Sequence, residues 1–394
     1  MEPKIRFKGF EGEWKTSTIG DFTTSFSGGT PTAGASEFYG GNIPFIRSGE
    51  IHESKTELFL TEAGLNNSSA KVVEKGTLLY ALYGATSGEV GISKIRGAIN
   101  QAILAIYPNK TVDKRFLANY LQSHKQKIVG ELLQGGQGNL SGALVKSISV
   151  TYPNNREQQT ISDYVDSLDS QISAATSRLA SLKQMKAASL QAMFPQEGET
   201  VPKIRFKGFE GEWNISRLGD FSTSFSGGTP TAGVAEFYGG EIPFIRSGEI
   251  HENRTELFLT EAGINNSSAK VVEKGTLLYA LYGATSGEVG ISKIKGAINQ
   301  AILAIYPNKS VNKIFLSNYL QLKKQRIVGE FLQGGQGNLS GALVKSILVT
   351  YPSLEEQQAI ASYFTSLDRQ ISLQSQRLEK LKQIKSAYLD KMFV

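Results

Sequence analysis

The chain has few residues that could do covalent chemistry. Its 394 residues include three histidines, His52, His124 and His251, and no cysteine. His52 and His251 stand at equivalent places in a repeated sequence, and His124 is matched by Lys323 in the second copy. Neither a metal site nor a histidine-based triad is expected from that inventory. Glu50-Ile51-His52-Glu53-Ser54-Lys55 has the acidic-plus-lysine look of a nuclease centre, yet the second copy reads Asn253 and Arg254 at its last two positions. Gly84-Ala85-Thr86-Ser87-Gly88-Glu89 has the glycines of a phosphate loop and lacks its lysine. No G-x-G-x-x-G stretch opens a helix after a strand. The expectation is no catalytic residue, no metal ligand and no cofactor: a protein that binds and positions.

Residues suited to binding a polyanion are easier to find. Four glycine-punctuated loops carry polar, flat or cationic side chains, and all four occur twice. Ser27-Gly28-Gly29-Thr30-Pro31 offers Thr30, and its copy Thr229; it reads equally as a plain turn. Arg47 and Ser48, with Arg246 and Ser247, follow a strand end. Their guanidinium groups could fork onto guanine or phosphate, or form a structural salt bridge. Tyr83, Thr86 and Ser87, with Tyr282, Thr285 and Ser286, supply hydroxyls and backbone donors suited to phosphates. Gln137 and Asn139, with Gln336 and Asn338, carry amides that can read adenine, although Asn139 could instead cap a short helix after it. A net charge of +6 and pI of about 9.1 permit a nucleic-acid partner without requiring one.

The elements that position these loops come in duplicate. Lys4 to Trp14 returns as Lys203 to Trp213, and Met193-Phe194 returns as Met392-Phe393. The residues before the helical tails are nearly identical between copies. A period of 199 residues is too long for a solenoid. It fits two copies of a domain plus a helix: domains at 1–153 and 195–352, long helices at 154–194 and 353–394. Strands are expected at Ile43–Arg47, Thr77–Tyr83, Glu89–Ser93, Ala102–Tyr107 and Ser147–Tyr152, which are short, apolar or β-branched and bounded by turn formers. An amphipathic helix is expected over Val112–Leu133, with Phe116, Leu117, Tyr120, Leu121, Ile128 and Leu132 facing the core.

Each long helix opens with a Pro-Asn or Pro-Ser start and a glutamate three residues on, a capping box in form. Apolar residues then alternate at four and three: Ile161, Val165, Leu168, Ile172, Ala175, Leu179 and Leu182, then Ile360, Phe364, Leu367, Ile371, Leu378 and Leu381, with Gln374 interrupting. This is a coiled-coil seam on helices of roughly 57 Å at 1.5 Å per residue. The expected architecture is α+β. Two mixed α/β domains are joined by two long helices that pair within the chain as an antiparallel coiled coil, with pseudo-two-fold symmetry. With no apolar run of membrane length, no signal-like start and no cysteine, the expected compartment is the cytoplasm. A cytoplasmic structural coiled-coil protein with two globular heads is the competing reading.

Several stretches resemble specificity subunits of type I restriction–modification systems. They are Pro3-Lys4-Ile5-Arg6-Phe7 with Trp14 and Ile19-Gly20; Ser27 to Pro31; Ile43-Pro44-Phe45-Ile46-Arg47-Ser48-Gly49-Glu50-Ile51; Leu79 to Thr86; Asn100-Gln101-Ala102; and Pro153 with Glu157-Gln158-Gln159. All recur in the second half. The resemblance implies that the domains are target-recognition domains for double-stranded DNA and that the helices are spacers. It also implies two methyltransferase (modification) subunits and restriction (endonuclease/translocase) subunits as partners, and no membrane. Family members generally carry two different recognition domains; here they are nearly the same. Motifs shared across such a family are expected to build the fold, leaving base reading to segments such as 32–42 and 53–69.

Overall fold

In the computed structural model, residues 2–132, 139–332 and 338–393 are described. They form two compact units, residues 1–176 with 376–394, and residues 177–375.

The first unit is built on two four-stranded sheets. Strands β1 (Lys15–Thr18), β2 (Thr23–Ser27), β3 (Tyr39–Ile46), β4 (Leu58–Leu60), β5 (Lys71–Val73), β6 (Leu78–Ala81), β7 (Val90–Ile92), β8 (Gly97–Ile99), β9 (Ile103–Pro108) and β10 (Ser149–Tyr152) alternate with short helices. One sheet is antiparallel in the order β2-β9-β6-β7, and the other is mixed, β4-β3-β8-β5, with β3 and β8 parallel. β1 and β10 form a separate antiparallel pair. Strands β6 and β9 read as unbroken apolar runs because both of their faces are covered. Leu78, Tyr80, Leu104 and Ile106 pack with Trp14, Phe116 and Val145. Leu79, Ala81, Ile103 and Ala105 pack with Ile46, Ile51, Val73 and Ile99 on the other face.

Strands at four of the five expected places lie within the expected limits or a residue beyond. At Ile43–Arg47, β3 instead begins earlier, at Tyr39, across a bulge between Tyr39 and Ile43. β10 starts late because a helix (Gly142–Ser147), capped by the Ser141 hydroxyl through Leu144 N–H at 3.2 Å, runs up to it. Ser141, not Asn139, is therefore the cap. The expected helix over Val112–Leu133 is two helices, α1 (Lys114–Ser123) and α2 (Lys125–Leu132). The chain bends at His124, whose ring stacks on Tyr120 at 4.3 Å and whose Nδ1 meets the Tyr120 carbonyl at 3.0 Å. Strands β1, β2, β4, β5 and β8 carried no periodic signal; they are three to five residues long or rich in serine and threonine.

The first long helix, α3, spans Asn155–Met193, and the second, α4, spans Leu354–Met392. Asn154 caps α3 through the Glu157 N–H at 3.1 Å. The Glu157 side chain does not return to close a box; it reaches Arg6 of the N-terminal motif through two bonds of 2.8 Å. Gln158, fully buried, accepts from Asp113 N–H and donates to the Pro153 and Thr111 carbonyls. The Glu-Gln pair thus pins the helix to its own domain.

Within the first unit the start of α3 runs antiparallel to the end of α4. The Tyr164 and Tyr388 rings lie 4.9 Å apart, and Asp169 pairs with Lys385 at 2.5 Å. Ile161, Val165, Leu168 and Ala175 are buried on the expected seam. The second long helix also ends in the core of this unit, where Phe393 lies 5.3 Å from Phe116.

The second unit repeats these elements 199 residues on, with four-stranded sheets in the same order. Here Lys186 pairs with Asp368 at 2.5 Å and the Ser189 hydroxyl meets the Tyr363 hydroxyl at 2.9 Å, again antiparallel. Phe194 fills the core beside Phe315, Trp213 and Phe364. Arg205 and Glu356 repeat the clamp at 2.7 Å. Arg115, which bridges α1 to Asp163 and Asp166 in the first unit, is replaced by Ile314, with Ser362 and Thr365 in place of the carboxylates.

Candidate nucleic-acid interface

The four glycine-containing loops meet around one turn, Asn100-Gln101-Ala102. Gly29 N–H donates to the Ile99 carbonyl at 3.2 Å, and Asn100 N–H donates to the Ile46 carbonyl at 3.2 Å. The first and second loops are thereby fastened to the same segment. Leu82 N–H donates to the Ala102 carbonyl at 2.8 Å, and Leu140 N–H to the Leu82 carbonyl at 3.0 Å, which draws in the third and fourth. The second copy repeats all four links. The turn exists because β8 must cross from one sheet to β9 in the other.

Gly28 and Gly29 are required by this closeness. A Cβ on Gly28 would fall 1.8 Å from the Ile99 carbonyl oxygen, and one on Gly29 would fall 2.6 Å from Ser69. The Tyr39 hydroxyl donates to the Pro31 carbonyl at 3.0 Å. What the loop presents outward is Thr30, exposed and hydrogen-bonded to exposed Gln101; Thr229 and Gln300 do the same. Gln101 and Gln300 are absent from the sequence-derived candidates, although Asn100-Gln101-Ala102 was itself a visible motif.

Arg47 is committed to a carboxylate clamp. Its Nε and Nη2 donate to Glu50 at 3.0 and 3.2 Å, and Nη2 also reaches Glu57. Those bonds hold the guanidinium still more firmly protonated. Burial pushes the Glu50 carboxyl up, but the bonds from Arg47 and from two backbone N–H groups outweigh it and leave Glu50 below its ordinary value. Arg246, Glu249 and Glu256 repeat the arrangement. Among the described residues only the Nη1 groups find no partner, and these are left for a ligand. Ser48 and Ser247 are half-buried in the short turn that closes this clamp.

In the third loop the hydroxyls turn inward. Thr86 donates to the Tyr83 carbonyl at 3.3 Å and Ser87 to the Leu82 carbonyl at 3.2 Å; Thr285 and Ser286 match them. Tyr83 and Tyr282 lean on the core. Asn139 and Asn338 are exposed, and Asn338 bridges to Tyr282. Gln137 and Gln336 lie outside the described residues.

The nuclease-like stretch is also accounted for. His52 Nε2 lies 3.6 Å from Glu89, which Lys125 holds at 2.5 Å. Lys125, and secondarily His52, keep the Glu89 carboxyl below its ordinary value against the opposing effect of burial. Among the described residues no three histidine, aspartate or glutamate side chains group as a metal site, and no helix is long and apolar enough to cross a membrane.

Comparison with known proteins agrees with this duplicated plan. The family model for the type I restriction modification DNA specificity domain matches twice, at residues 11–184 and 210–383. The type I restriction enzyme MjaIX specificity subunit of Methanocaldococcus jannaschii is 23% identical over 414 residues, covering 96% of this chain and 92% of that one. The HindI specificity subunit of Haemophilus influenzae is 22% identical, covering 94% and 97%. The crystal structure of the type I restriction–modification S subunit from M. genitalium shares the fold, with a TM-score of 0.68 at 17% identity over 100% of this chain and 99% of that chain. Two domain matches, each running on into a long helix, leave one assignment: the chain belongs to the type I restriction modification DNA specificity family and carries that family's domain twice.

Proposed function

We propose that this DNA-specificity subunit reads a bipartite, inverted-repeat target in double-stranded DNA. The observation that carries the reading is the duplicated loop cluster: the same four loops, fastened by the same hydrogen bonds, occur in both units. Two equal readers recognise two equal half-sites, and inverted order follows if the readers face opposite strands. Half-sites about one helical turn apart, roughly 34–36 Å, or somewhat more, suit such a pair. Residues 1–153 and 195–352 serve as the recognition domains. Thr30, Gln101 and Asn139 with their copies present polar groups from the cluster, Gln137 and Gln336 are added as readers on the chemistry of their amides alone, and 32–42 and 53–69 supply further base contacts. Arg47, Tyr83, Thr86, Ser48 and Ser87 shape the loops, with Arg47 retaining donors for a phosphate.

The chain supplies recognition and no chemistry. Methyl transfer comes from two modification subunits that take the target base out of the duplex, and cleavage from restriction subunits, in the cytoplasm. The domain matches at both halves disfavour a purely structural coiled-coil role. Mapping of methylated bases in cells carrying the complex tests the reading. One motif with two identical, inverted halves is expected; two unrelated halves overturn it. Methyl transfer by the purified chain alone would overturn the division of labour.

A further inference from the structure

A basic stripe runs from Lys71, opposite Ile99 near the loop cluster, to the far ends of β6 and β9, and plays no part in the cluster. The Lys71 ammonium sits over the Phe26 ring, 5.0 Å from its centre. Phe26 stacks on Tyr107 at 5.6 Å. Tyr107 then lines a cleft of about 650 Å³ whose walls also carry Lys75, Lys110 and Lys114. All four lysines and Tyr107 are exposed. The only carboxylate on the cleft wall, Asp113, is occupied. It caps α1 through the Arg115 and Phe116 N–H groups and lies 3.7 Å from the Arg115 guanidinium. Glu74, next in sequence to Lys75, is taken by Arg96 at 2.9 Å. Lys114 is steadied by the Gly76 carbonyl at 2.9 Å. Among the described residues Lys75 and Lys110 have no ion pair.

The second unit keeps the lysines and the stacked aromatics. Lys270 sits 5.0 Å over Phe225, Phe225 stacks on Tyr306 at 5.6 Å, and Lys313 bonds the Gly275 carbonyl at 2.8 Å. Lys274 and Lys309 stand where Lys75 and Lys110 do. Asp113 becomes Asn312, which removes even the occupied carboxylate. Four cations beside stacked aromatics, without free carboxylates, suit one ligand chemistry: a run of phosphodiesters, whose charges attract lysines.

We propose that Lys71, Lys75, Lys110 and Lys114, held in line by Phe26 and Tyr107, form a track for the phosphate backbone of duplex DNA, and that the second unit carries its equal. This rests on the DNA-reading role above and adds to it the sequence-independent share of the affinity. Phosphate contacts set register, while base contacts specify.

The test is the salt dependence of binding by the full chain. A fluorescent duplex of arbitrary sequence is titrated at several KCl concentrations, and the slope of log affinity against log salt is read by anisotropy. The variant carries Lys75→Gln, Lys110→Gln, Lys274→Gln and Lys309→Gln. Each lost phosphate contact removes about 0.9 from the slope, so the four should lower it by about 3 to 4. Lys→Arg at the same positions should restore the parent slope. A control that removes two charges elsewhere, Lys8→Gln with Lys207→Gln, should leave it nearly unchanged, and the comparison is made per charge removed. If the parent binds duplex and the variant keeps the parent's slope, the track is wrong while the reading role stands. An equal loss per charge in the control would also overturn the track, because net charge alone would explain the effect. A parent that binds no duplex at all would instead overturn the reading role, and the track with it.

Discussion

Arg6 and Glu157 are 151 residues apart and joined by two hydrogen bonds of 2.8 Å, with the glutamate side chain 1% exposed. The same guanidinium also donates to the Gly12 and Glu11 carbonyls. One side chain thus fastens the N-terminal segment to the first turn of a long helix. Arg205 and Glu356 do the same in the second unit. Two stretches that identify the family by sequence, Lys-Ile-Arg-Phe and Glu-Gln-Gln, are two halves of one structural clamp.

Removing one partner should therefore cost more than removing both. Arg6→Ala leaves the buried Glu157 carboxylate unpaired and should destabilise the first unit by about 3–5 kcal/mol. Arg6→Met with Glu157→Leu should recover most of that loss. Urea unfolding of the parent, both single variants and the double variant checks this. Additive losses would show that the pair is not coupled.

Phe393→Ala should destabilise the first unit, and Phe194→Ala the second, each by about 3–5 kcal/mol. Phe393 packs edge-on and tilted against Tyr120 and Phe116, and Phe194 is fully buried among Trp213, Phe315 and Phe364. Calorimetry reads the outcome. A loss near that of an exposed site would mean that the helix ends do not complete the cores.

Gly28→Ala places a methyl group 1.8 Å from the Ile99 oxygen, which the backbone must move to accept. Gly49→Ala meets nothing within 4 Å and needs no positive φ. The first should unfold or distort the loop cluster; the second should change stability by less than about 0.5 kcal/mol, as surface substitutions usually do. Thermal melts of both variants decide it, and equal melting points would contradict the packing described.

His124 should give the first unit a pH dependence below neutrality. Burial lowers its pKa below 6.5, Lys127 lowers it further, and the Tyr120 carbonyl opposes them. The unfolded chain therefore takes up a proton at higher pH than the folded one, so stability rises with pH in that window. The contribution is complete above the unfolded value of about 6.5 and falls as pH drops through 6.5 towards the lower folded value. Unfolding at pH 7.5 and 5.5 should show a loss for the parent that His124→Gln reduces. Lys323 occupies the equivalent place in the second unit.

The long helices should act as a ruler. Inserting four residues near Ala175 adds about 6 Å at 1.5 Å per residue, while B-DNA advances 3.4 Å per base pair. The methylated motif should keep its half-sites and gain one or two base pairs of spacer. Leu168→Asp, which places a charge in the buried seam, should abolish binding instead. An unchanged spacer in the insertion variant would show that the helices are only linkers.

Much of this protein was determined by its sequence alone. The duplication, the long helices with their 4,3 seam, and the apolar runs of β6 and β9 are local or periodic signals. Burial on one helix face or on both faces of a strand imposes such periods directly. Tertiary structure alone decided the relationships between distant residues. It gave Glu157 to Arg6 rather than to its own cap and took Arg47 into a clamp with Glu50 and Glu57. It also brought four separate loops to Asn100–Ala102 and placed Phe393 beside Phe116. Gln101 escaped notice for the same reason, since its partner Thr30 lies 71 positions away. Nothing in a local pattern records which distant groups will be left to satisfy one another once the sheets close. Buried charges and polar groups must find partners wherever the packed chain brings them, and only the folded backbone specifies where that is.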